Sequence, residues 1–170
     1  MYKAKQRRNS YVFFSEELKE QASQRLELES GIREALERRA FRLHYQPLVD
    51  PTGVIKGAEA LLRMADREGR PVSPALFIPI AEEIGLVAAI GDWVFRTACA
   101  QLKDWNDNGH PEFYMSVNLS VKHFSRADLV DGLTRIIEET GANPANLRIE
   151  VTESCLLEDP AETRRKMLEI

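Results

Sequence analysis

From residue 54 onward, short apolar runs alternate with amphipathic stretches, and this order constrains the fold class before any single residue does. Residues 54–62 read as a strand. Ser73-Pro74 opens a helix with proline at its first position, and the helix around 77–84 closes at Gly85. A longer helix covers roughly 92–108 and closes at Gly109. Residues 114–119 form the next strand. Ser125 with Asp128 resembles a capping box for a helix with the apolar face Leu129, Leu133, Ile136 and Ile137, ended by Gly141. Residues 147–152 are a further strand, and Asp159-Pro160 with Glu162 opens a last helix. Strands separated by helices pair in parallel, so the chain is predicted to be α/β. An earlier strand, 41–45, stops at Gln46-Pro47 and is parted from residue 54 by the turn Asp50-Pro51-Thr52-Gly53. Four strands with their helices make about half of a TIM-like (β/α)8 barrel, which needs about 250 residues. Half a barrel is expected to leave open sheet edges and uncovered core, and hence a chain of marginal stability.

The segment before residue 41 has a different character. Residues 1–14 read as a short basic helix followed by the strand Ser10-Tyr11-Val12-Phe13-Phe14, too little to fold alone. Ser15 can cap a helix with Glu16 and Glu17 in its first turn. Leu18, Ala22, Leu26, Ile32 and Leu36 continue an approximately helical stripe to about residue 39, as expected of a linker helix that carries into a domain.

Charge and cysteine usage exclude several classes of function. The 23 basic and 27 acidic residues leave a net charge of −4, with no global drive towards nucleic acid or an anionic membrane. Lys3, Lys5, Arg7 and Arg8 form a short run best read as a solvated helix face. No run approaches the roughly 18 apolar residues of a membrane span, and the first residues lack a signal-peptide core. Cys99 and Cys155 stand apart in apolar surroundings, without zinc-site spacing, as expected of buried thiols in a reducing cytoplasm.

Three apolar strands share one anomaly. Each carries an oxygen-bearing side chain where burial is expected: Glu59 in the first, Asn118 in the second, Glu150 in the third. A single buried carboxylate is usually a satisfied structural group, because leaving it unpaired costs several kcal/mol. Three such residues on successive parallel strands can instead converge at one end of the barrel. Two carboxylates and an amide oxygen form a hard, oxygen-only site suited to Mg²⁺ or Mn²⁺ rather than zinc. Arg63, just beyond Glu59, carries a guanidinium matched to phosphate oxygens; taken alone it would be read as a surface ion pair.

Six ordered blocks then bear on identity: Leu43-His44-Tyr45-Gln46-Pro47, Glu59-Ala60-Leu61-Leu62-Arg63, Phe77-Ile78-Pro79-Ile80-Ala81-Glu82, Gly91-Asp92-Trp93-Val94, Ser116-Val117-Asn118-Leu119-Ser120 and Ile149-Glu150-Val151-Thr152-Glu153-Ser154. From about residue 28 to 170 the chain resembles the front part of an EAL-type cyclic di-GMP phosphodiesterase domain. The resemblance implies metal ligation by Glu59, Asn118 and Glu150 and catalytic roles for Glu59, Glu150 and Glu153, the last by ordering a nearby loop. It implies substrate contacts for Gln46, Arg63 and Asn118, with Arg63 on a phosphate. It further implies Mg²⁺ or Mn²⁺, two ions in a complete domain, cyclic di-GMP as ligand and a homodimer of the complete protein. Met64 stands where the family usually has tryptophan.

Residues 1–14 are similar to the C-terminal end of a GGDEF domain, which implies the division 1–14 cyclase remnant, 15–29 linker helix and 30–170 EAL portion. The family's second half supplies an Asp-Asp pair, a lysine, a further glutamate and a glutamine that are expected beyond residue 170. The chain alone is therefore expected to be inactive. A non-catalytic module that binds cyclic di-GMP or mediates dimerisation, and an unrelated phosphate-binding barrel enzyme, remain the alternatives.

Overall fold

A two-residue period divides strand β2 (Ile55–Ala65) into two unlike sides, and this division organises the molecule. Ala58, Ala60 and Met64 are buried on one side, while Gly57, Glu59, Leu61 and Arg63 alternate onto the other. Strand β4 (Tyr114–Leu119) repeats the pattern, burying Met115, Val117 and Leu119. In β5 (Leu147–Val151), Leu147, Ile149 and Val151 pack on the same core, and in β1 (Arg42–Val49) Leu43 and Tyr45 do so. The structure, a computed structural model, describes residues 16–38, 40–151 and 160–170.

Helices cover the apolar side. The main covering element is helix α3 (Val87–Asp107), which buries Ile90, Val94, Phe95, Ala98, Cys99 and Leu102. Helix α5 (Leu129–Thr140) adds Leu129, Leu133 and Ile136 beside it. Each large side chain taken fully out of water contributes about 1.5–3 kcal/mol. Helix α2 (Pro74–Glu83) brings Phe77 and Ala81, and helix α1 (Glu16–Glu37) brings Ile32 and Ala35.

The strand order is β1-β2-β4-β5, with β2, β4 and β5 parallel and β1 antiparallel to β2. A two-residue strand, β3 (Pro71–Val72), pairs with the far end of β2. Sequential parallel strands covered by helices form part of a (β/α)8 barrel wall, in agreement with the predicted class.

Several local expectations are corrected. Strand β1 continues through Pro47 to Val49, because an edge strand tolerates a residue without an N–H. Strand β2 extends to Ala65, so Arg63 lies within the strand rather than beyond it. Helix α3 begins at Val87, without a side-chain cap, two residues after the left-handed Gly85 (φ 75°). The box expected from Ser125 and Asp128 does not form. Ser125 Oγ donates to the Val121 carbonyl at 2.8 Å, and Arg126 engages the Asp128 carboxylate. Ser120 instead caps a short helix, α4 (Val121–Phe124), accepting from the His123 N–H at 3.2 Å. In α1, Ala22 and Leu26 are exposed, so the core-facing stripe starts only at Leu28.

The last helix, α6 (Pro160–Glu169), is anchored by the buried Lys166, whose Nζ donates to the Phe124 carbonyl at 2.8 Å and the Arg126 carbonyl at 2.7 Å. Burial pushes the Cys99 thiol up to about 12, so it stays neutral. Cys155 and the expected elements of residues 1–14 lie outside the described residues. Among the described residues no helix is long and apolar enough to cross a membrane.

A polar network ties α3 to α4. His123 is only 1% exposed, and its Nε2 lies 2.9 Å from Asp92 Oδ1. Asp92 Oδ2 accepts from Arg126 at 2.8 Å, and Arg126 in turn grips Asp128. Carboxylates accept only, so Nε2 carries the proton, while Nδ1 has no hydrogen-bond partner among the described residues. Burial holds this imidazole below its ordinary value, with Asp92 opposing the shift. The unfolded chain therefore takes up the proton first, near pH 6.5, so this stability is complete above that pH and declines as pH falls. The urea midpoint is expected to drop from about pH 7.5 to about pH 5.5, and less so in His123→Gln. An equal drop in His123→Gln would remove His123 as the cause.

Candidate functional site

The uncovered side of the sheet carries the polar residues. Because directly paired residues share a side, the antiparallel pairing of Gln46 with Glu59 puts Gln46 beside the carboxylate. Across the parallel pairings, Glu59 stands opposite Ser116 and Asn118 stands opposite Glu150. The fold thus brings Gln46, Glu59, Asn118 and Glu150 together on three adjacent parallel strands and the hairpin edge.

Two hydrogen bonds run diagonally from β4 to its neighbours. Asn118 Nδ2 donates to Glu59 Oε1 at 2.7 Å, and Ser116 Oγ donates to Glu150 Oε1. Since a carboxylate can only accept, Asn118 must turn its NH₂ to Glu59, which leaves Asn118 Oδ1 free as a ligand. The site differs from expectation in one respect. Asn118 and Glu150 are exposed and Glu59 half-buried, because the helices cover only the opposite side of these strands.

Arg63 lies four residues further along β2, opposite Arg42 on β1. Its guanidinium donates to the Leu62 carbonyl at 2.9 Å, and among the described residues it has no ion pair. The surface ion pair considered for it is therefore not formed among the described residues. Glu153 lies outside the described residues. At the other end of the strands Arg148 stacks over the Tyr114 ring, 3.5 Å from its centroid, and that ring rests against Gly57.

Sequence reading missed Ser116. The signal was present: two residues before Asn118 on a strand means the same side, but only the register assigns its partner. A groove of about 580 Å³ between α1 and the β2–β3 ribbon, lined by Leu28, Ala35 and Met64 among mixed charges, contains none of the candidate residues.

The donor set fits a hard divalent cation. Its oxygens come from two carboxylates and one amide, with neither thiolate nor imidazole. Among the described residues no group of three or more His, Cys, Asp or Glu is placed to hold a metal ion.

Residues 29–170 match the family described as EAL domain, and the chain belongs to that family. It is 42% identical over 161 residues to the bifunctional diguanylate cyclase/cyclic di-GMP phosphodiesterase MucR of Pseudomonas aeruginosa, covering 94% of this chain and 24% of that protein. It is 36% identical over 160 residues to the oxygen sensor protein DosP of Escherichia coli, covering 94% of this chain and 20% of that protein. The chain thus spans about a quarter or less of the curated relatives it matches. Its fold superposes on the MucR phosphodiesterase in complex with c-di-GMP with a TM-score of 0.78 at 37% identity, covering 84% of this chain and 60% of that one.

Proposed function

We propose that this chain forms part of a phosphodiesterase that hydrolyses cyclic di-GMP to linear pGpG. The observation that carries the reading is the convergence of Glu59, Asn118 and Glu150 on one side of adjacent parallel strands, two of them already joined by a hydrogen bond. The solved MucR phosphodiesterase, a relative, is a complex with c-di-GMP, which supports the choice of substrate.

In this reading water adds to one phosphorus of the cyclic dinucleotide. The P–O bond to the 3′ carbon's oxygen breaks, a P–O bond to the water oxygen forms, and the proton lost by water ends on the 3′ hydroxyl. Glu59, Asn118 and Glu150 would hold Mg²⁺ or Mn²⁺, which supplies charge neutralisation at a phosphoryl oxygen. Arg63, whose guanidinium has no ion pair among the described residues, would contact a phosphate. Gln46 contacts the ligand beside Glu59, and Glu153 orders a neighbouring loop. Helix α1 up to about residue 29 serves as a linker into the domain, which agrees with where the family match begins.

The full-length protein, given cyclic di-GMP with Mg²⁺ or Mn²⁺, is expected to release linear pGpG, and EDTA is expected to stop it. Tight binding of cyclic di-GMP with no turnover in either metal would replace this reading with that of a binding module.

A further inference from the structure

Ser116 has no part in the chemistry just described, yet it is among the most buried polar side chains of the described residues, at 1% exposure. On helices the hydroxyls of Ser125, Thr97 and Thr140 turn to the carbonyl four residues back, which an extended strand puts out of reach of Ser116. The Ser116 hydroxyl instead donates to Glu150 Oε1. Its strand partner on the other flank is Glu59. The central strand β4 therefore offers one neutral donor to each flanking carboxylate: Asn118 to Glu59 and Ser116 to Glu150.

That arrangement has a consequence for cation binding. Glu150 is exposed and has several rotamers open to it. A hydrogen bond to one oxygen restricts the carboxylate to fewer of them, on the side of the sheet shared with Glu59 and Asn118. Donors of this kind, one step removed from a metal, typically change its affinity about 10–100-fold when removed. A hydroxyl suits the place because it donates without adding charge between two like-charged groups.

We infer that Ser116 is a positioning residue that orients Glu150 for a divalent cation. The inference rests on the reading of Glu59, Asn118 and Glu150 as the cation site. It goes beyond that reading by assigning the orientation of one ligand to a residue outside the ligand set.

The test is Mn²⁺ affinity of the full-length protein, measured by calorimetry for wild type, Ser116→Ala, Ser116→Thr, Ser116→Cys and Glu150→Gln. Ser116→Ala is expected to weaken Mn²⁺ binding by about 10–100-fold with little change in thermal midpoint. Ser116→Thr, which keeps the hydroxyl, should recover most of the loss. Ser116→Cys keeps the volume but is a weak donor, so it should behave like alanine; it serves as the deciding variant if alanine leaves the protein unfolded. Wild-type affinity in Ser116→Ala or Ser116→Cys, together with loss in Glu150→Gln, would overturn the role of Ser116. Wild-type affinity in Glu150→Gln would instead overturn the site itself.

Discussion

Glu59→Gln is expected to lower the turnover of cyclic di-GMP on the order of 10³-fold, about 4 kcal/mol of barrier. The substitution isolates charge from shape. A glutamine has the same volume, and its carbonyl oxygen can still accept the hydrogen bond that Asn118 Nδ2 now gives to Glu59 Oε1. The pairing of β2 with β4 is therefore left intact, and so is the thermal midpoint. What disappears is one of the two negative charges that would face the proposed cation, and a hard dication loses most of its attraction to a neutral amide. Mn²⁺ affinity should fall together with turnover, while the affinity for cyclic di-GMP measured in EDTA should change far less. Glu68→Gln is the matched control. Glu68 is an exposed partner of Arg70 on the turn between β2 and β3, and such a pair contributes at most about 1 kcal/mol. Turnover of Glu59→Gln within tenfold of wild type would exclude Glu59 from the reacting centre.

Glu59, Asn118 and Glu150 stand out in the sequence because polar oxygens interrupt apolar strands, and the parallel pairing gathers them on one side. The burial expected at these positions is absent at Asn118 and Glu150 and only partial at Glu59, since α3 and α5 cover only the side that carries Met115, Val117 and Leu119. Period-two patterning identifies which residues share a side but not which side is dry. Ser116 is hidden from the same pattern for a related reason. A serine in a strand is unremarkable by itself, and its meaning depends on a register between strands that no local pattern encodes.

Helix boundaries differ from the sequence expectation where a side chain finds a better partner than spacing suggests. Asp128, a capping-box candidate by spacing, is held by Arg126, while the start of α3 follows the left-handed turn at Gly85 and has no side-chain cap.

Gly57→Ala is expected to cost about 3 kcal/mol of stability, at the upper end for an added methyl in a packed site. A Cβ at residue 57 would lie 2.5 Å from the Tyr114 carbonyl oxygen and 2.8 Å from the Tyr114 ring. A ring alone could swing aside, but here it would give up the stacked guanidinium of Arg148. The carbonyl cannot move without shifting β4 itself, because Gly57 and Tyr114 are direct partners in the β2–β4 pairing. Any such shift propagates two residues along to Glu59 and Ser116, the next level of the same ladder. The loss of stability should therefore come with weakened Mn²⁺ binding, even at temperatures where the variant is folded. Gly132→Ala makes the contrast. Gly132 lies inside α5 with nothing near its added Cβ, so replacing it should raise stability by about 0.8–1 kcal/mol through helix propensity alone. Urea unfolding of both variants decides the matter. An unchanged midpoint for Gly57→Ala would mean that β2 and β4 are not held as closely as their pairing indicates, and the diagonal bonds from Asn118 and Ser116 would lose their geometric basis.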